Sequence, residues 1–159
     1  MKFCRQAACA LALSALAVAA QAKVIISGVY PSNFSFSTAT SLVPLASTGA
    51  TSRTFNITKA GTYVLTFSAE CSVDAPAGDN AAWVDLDILI DGVAVAPTVG
   101  TSDAFCGANG TLGFDGWVRP SITIPVSLTA ANHTLQVQGR LNFGATAGWI
   151  SDISFVLHQ

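Results

Sequence analysis

The chain has 159 residues, of which seven are Lys or Arg and nine Asp or Glu, a net charge of −2 with only 10% charged residues. Average proteins carry about 25%. That composition excludes a basic nucleic-acid binder, a charge-rich disordered tail and a coiled coil.

Lys2 and Arg5 precede an apolar run from Ala7 to Ala20, and Ala20-Gln21-Ala22 supplies small residues two apart. This is the pattern of a secretory leader with its cleavage site. The run covers 14 positions, short of the roughly 20 that a membrane-crossing helix needs. The expected mature chain is Lys23 to Gln159, 137 residues, exported to the periplasm or beyond the cell. Cleavage leaves five basic and nine acidic residues, so its net charge is 5 − 9 = −4. No later segment is long and apolar enough to span a membrane as a helix.

From Lys23 onward, Gly, Pro, Asn, Asp and Ser punctuate the chain every eight to twelve residues, with Val, Ile, Thr and Phe between them. That spacing predicts an all-β fold, with two packed antiparallel sheets burying eight to ten strands. Weak strands are expected around Val24–Tyr30, Phe34–Thr38 and Thr54–Ile57. Gly61 to Cys71 is the clearest, with Tyr63, Leu65, Phe67, Ala69 and Cys71 on one face. A polar loop from Ser72 to Asn80 should follow. Ala82 to Ile90 then places Val84, Leu86, Ile88 and Ile90 inward and Trp83, Asp85 and Asp87 outward. Asp91-Gly92 reads as a two-residue hairpin turn into Val93.

Val99 to Gly113 is a Gly-rich segment expected to be a loop, and it holds Cys106. Phe114–Arg119 and Ser121–Leu128 are strand candidates. His133, Leu135, Val137 and Leu141 alternate with Thr134, Gln136, Gln138 and Arg140. The closing strand runs from about Trp149 to His158. Cys71 and Cys106 survive leader cleavage, and in an oxidising compartment a lone pair is expected to form a disulfide.

Phe34-Ser35-Phe36-Ser37-Thr38, Val43-Pro44-Leu45 and Thr54-Phe55-Asn56-Ile57 precede Ala60-Gly61-Thr62-Tyr63-Val64-Leu65-Thr66-Phe67. Asp87-Ile88-Leu89-Ile90-Asp91-Gly92 follows, and later His133-Thr134-Leu135-Gln136-Val137. This order resembles the C1q-like globular head of the C1q/TNF superfamily over about Phe34 to Leu157. The resemblance implies a jelly roll that assembles as a homotrimer and binds partners without catalysis. Two features depart from the family: no Gly-X-Y stalk precedes the domain, and Ile150-Ser151-Asp152-Ile153-Ser154-Phe155 replaces its closing aromatic motif.

Chemistry-bearing residues are few. The only histidines are His133, expected on the core rim, and His158, expected to fray near the terminus. No nucleophile elbow, metalloprotease motif or phosphate loop occurs, so no enzyme activity is expected. Asp85 and Asp87 project from one face about 7 Å apart. With Asp91 beyond them, they are candidate Ca²⁺ ligands, the alternative being a solvated outer face. Trp83, Trp117 and Trp149 are candidate ligand or interface residues, able to stack on sugar rings if exposed and merely filling the core if not. A carbohydrate-binding sandwich using them is therefore the alternative to the C1q/TNF-like reading.

Overall fold

The computed structural model describes residues 22–96, 104–109, 113–114 and 116–159. The expected leader cleavage region up to residue 21 lies outside them. Twelve strands run through the described residues: β1 (Val24–Tyr30), β2 (Phe34–Ser35), β3 (Ser41–Leu42), β4 (Ser52–Asn56), β5 (Gly61–Ala75) and β6 (Trp83–Ile90), then β7 (Val93–Ala96), β8 (Ala104–Gly107), β9 (Gly113–Phe114), β10 (Ser121–Leu128), β11 (Asn132–Asn142) and β12 (Ala147–His158). They form two antiparallel sheets. The first is ordered β1-β12-β5-β10, with β2 beside β12 and β9 beside β5. The second is ordered β3-β11-β6-β7, with β4 beside β11 and β8 beside β6.

Between long strands the chain passes repeatedly from one sheet to the other, which is jelly-roll wiring. Period-two burial explains the pairing. Tyr63, Leu65, Phe67, Ala69 and Cys71 of β5 meet Val84, Leu86 and Ile88 of β6, and Leu135 and Val137 of β11, in one buried core. The Asp91-Gly92 turn forms as expected, with both residues at positive φ and Ile90 opposite Val93. β10 and β12 match the sequence expectation closely.

Three expectations are corrected. Ser72 to Ala75 continue β5 rather than opening a loop, because Val73 and Ala75 keep the buried parity and the chain is released only at Pro76. Ala104–Gly107 within the Gly-rich segment is strand β8, paired with β6 and burying Phe105 and Cys106. The strand count exceeds the expected eight to ten because β2, β3 and β9 are two-residue pairings too short to show a period.

Cys71 and Cys106 form a disulfide with their Cα atoms 6.1 Å apart. Since β5 and β8 belong to opposite sheets, the bond ties the sheets face to face. Phe67 and Phe105 pack edge to face across the same gap, centroids 5.8 Å apart.

Candidate functional site

The outer face of the second sheet is a ladder of polar cross-strand pairs. Gln138 lies opposite Asp87 and donates from Nε2 to its Oδ2 at 3.0 Å. Arg140 lies opposite Asp85 and donates from Nε to its Oδ2 at 3.4 Å. Asn142 lies opposite Trp83, whose ring stacks on Phe143 at 4.5 Å between centroids.

Asp85 was expected outward in solvent, but it is only 5% exposed. Its strand is interior to the sheet, with Arg140 of β11 opposite on one side and Ala104 of β8 on the other. Burial pushes the Asp85 carboxyl above the ordinary carboxylate range, reinforced by Asp87, while Arg140 and the nearby Asn142 amide pull it back. The Asn142 amide is near enough to act on the Asp85 carboxyl, yet the buried Asp85 Oδ1, Asn142 Nδ2 and Trp83 Nε1 each make no well-formed hydrogen bond.

Asp91 belongs to a different arrangement. Six residues along the strand direction separate it from Asp85, about 20 Å. The Thr134 backbone N–H donates to Asp91 Oδ1 at 2.8 Å. His133 Nδ1 lies 2.7 Å from Asp91 Oδ2, and its Nε2 lies 3.0 Å from the Thr129 carbonyl oxygen. Both partners only accept, so both bonds form when the ring carries both protons. The Asp91 contact, then the Thr129 carbonyl, hold the His133 pKa above its ordinary value. The same His133 contact, then the Thr134 N–H, hold the Asp91 carboxyl below the ordinary range. His133 is thus a rim residue as expected, but one that latches the β6–β7 turn to β11. The sequence signals nothing of this pairing, because the partners lie 42 positions apart.

The sign of the pH dependence follows. The His133 contribution is complete below the unfolded histidine pKa and is lost as pH rises through the elevated folded one. The Asp91 contribution is complete above the unfolded carboxyl pKa and is lost as pH falls through the depressed folded one. The latch therefore contributes fully from about pH 4 to 6.5. With the Asp91 side chain half in solvent, it should contribute about 1 kcal/mol, below the level of a buried charged bond. Asp91→Asn, which retains the turn's positive-φ preference, should lose that amount at pH 6 and flatten the decline towards pH 8. Urea unfolding across this range checks it, and an unchanged profile would show that the latch contributes nothing.

The three aspartates named as candidate cation ligands are not brought together. Among the described residues, no three His, Cys, Asp or Glu side chains form a group able to hold a metal ion. Each aspartate is engaged by a protein donor instead. The tryptophans are also dispersed. Trp83 lies in the second sheet, whereas Trp149 lies in β12 of the first, opposite Ser35 and Ser72. Trp117 precedes the Val118–Cys71 bridge and is 40% exposed. His158, expected to fray, is the last residue of β12, in register with Val24 and Val64.

The outer face of the first sheet is chemically different. Val29 of β1, Ser154 and Val156 of β12, Val64 and Thr66 of β5, and Thr123 and Pro125 of β10 share it by register. None is charged. Thr66 and Thr123 join their hydroxyls at 3.1 Å, and a shallow depression of about 350 Å³ runs beside Ser27, Val29, Thr66 and Val156. Towards one end Arg119 approaches Glu70 at 3.9 Å and donates to the Asp152 carbonyl at 3.1 Å, and at the other Lys23 precedes β1 and His158 shares the outer parity with Val64.

No protein-family model matches the chain, and no curated protein matches it. No helix among the described residues is long and apolar enough to cross a membrane.

Proposed function

We propose that this protein is an exported, non-enzymatic binding or structural module of the C1q/TNF-like type, working as a homotrimer. The observation that carries the reading is the middle of the outer face of β1-β12-β5-β10, which holds no charged side chain. Protein surfaces commonly hold about 25–35% charged residues, and the centres of interfaces are depleted in them. A Ser/Thr/Val face four strands wide suits contact with another copy better than contact with water alone. The jelly-roll strand order supports the C1q/TNF-like part of the reading. The leader pattern and a disulfide between the sheets support export.

Light scattering on Lys23–Gln159 should return three times the single-chain mass. Thr66→Glu, which sets a charge in the middle of this face, should reduce it to one chain without lowering the strand signal in circular dichroism. A wild-type monomer at every concentration would end the proposal.

A second reading, a saccharide-binding sandwich, is favoured by one observation, the Trp83–Phe143 stack.

A further inference from the structure

We propose that Trp83, Asp85 and Asn142 form a binding site for a vicinal diol of a neutral pyranose sugar, closed by Phe143 when empty. The inference rests on the saccharide-binding reading and gives it a location. Three buried polar atoms lack partners on adjacent rungs of one sheet face: Trp83 Nε1, Asn142 Nδ2 and Asp85 Oδ1. Buried polar groups are nearly always satisfied, so such a cluster calls for an occupant. The set is two N–H donors and one carboxylate acceptor. A hydroxyl group both donates and accepts, so neighbouring hydroxyls can satisfy all three. A bare cation would be repelled by the two donors.

Phe143 supplies the second half of the argument. It is 62% exposed and stacks on Trp83, yet its φ is 46°. A bulky side chain rarely adopts that conformation, and such strain collects at functional sites. Gly144 follows at φ 79°, and the Ala145 N–H closes the turn on the Asn142 carbonyl at 3.3 Å. The ring is therefore held over Trp83 by a short strained turn and is open to solvent on its other side. A pyranose ring taking its place would stack its C–H face on the indole while its hydroxyls reach the three polar atoms.

The test is titration of the mature protein with the methyl glycosides of glucose, galactose, mannose and N-acetylglucosamine, each followed by indole N–H cross-peaks in nitrogen–proton correlation spectra. At least one glycoside should move the Trp83 cross-peak in a saturable manner. Trp83→Phe, which keeps a ring and removes the N–H, should weaken that affinity at least tenfold. Phe143→Gly removes the competing ring at a turn position suited to glycine, and should tighten binding at least threefold. It also keeps the proposal falsifiable should Trp83→Phe fail to fold. If all four sugars leave the spectrum unchanged, both the site and the saccharide reading fall. Binding that depends on Trp117 or Trp149 while ignoring Trp83→Phe and Phe143→Gly would overturn the site and leave the saccharide reading standing.

Discussion

Replacing both Cys71 and Cys106 with alanine should lower the unfolding free energy by about 4 kcal/mol. The bond closes a loop of 35 positions, and in the chain-entropy account an unfolded chain freed of such a loop gains about that much. Geometry adds to the effect, because the two half-cystines sit on facing strands of opposite sheets and are almost wholly buried. Their alanine replacements lose sulfur contacts in the gap where Phe67 meets Phe105. A domain of this size has roughly 5–15 kcal/mol in hand, so the double variant should remain folded at room temperature but melt much earlier. Urea unfolding with and without a reductant supplies the measurement. A loss under about 1 kcal/mol, ordinary for any single replacement, would mean that the two sheets are held together without the bridge.

Gly139→Ala should be nearly as damaging, at about 3 kcal/mol, towards the upper end of what overpacking usually costs. Gly139 lies on the inward side of β11, opposite Leu86. A methyl there would stand 2.5 Å from the Asp85 carbonyl oxygen, 2.5 Å from Leu86 Cδ2 and 2.8 Å from Phe36 Cε1. The carbonyl belongs to the neighbouring strand and cannot retreat without opening the β6–β11 ladder. Gly61→Ala is the control, since its methyl would meet nothing nearer than Tyr63 Cε2 at 4.0 Å. A calorimetric scan should show the first variant melting roughly 10 °C below wild type and the second close to it. Equal midpoints would show that Phe36 and the β6 backbone yield more easily than their packing implies.

Local alternation made much of the framework legible. β10, the interior of β11 and the run Ile153-Phe155-Leu157 follow from a period of two, because each of these strands has one wet face and one dry face. Ser72 misled because a polar residue on the outer parity looks identical whether the strand continues or stops. Val73 and Ala75, small and apolar, were the only sign that it continues. Cys106 sits among glycines, and its strand exists because the edge of β6 is available to pair with it, which no local pattern can express. Asp85 shows the same boundary more sharply. Its outward parity was readable, but its burial comes from the strands on both sides of β6. The His133–Asp91 latch, the Trp83–Phe143 stack and the dispersal of the three tryptophans likewise depend on which strands become neighbours.

The position of β12 has a consequence for the order of assembly. Its two main neighbours are β1 and β5, so the earliest strand of the described chain has its principal partner in the last. While the polypeptide is emerging amino end first, β1 has only open edges to offer, and such edges invite pairing with other chains. The barrier to completing the first sheet is dominated by distant rather than nearby contacts, a feature of slow-folding β proteins. Closure therefore has to wait for β12, and any nascent form lacking it exposes two unpaired sheet edges to whatever accompanies the chain.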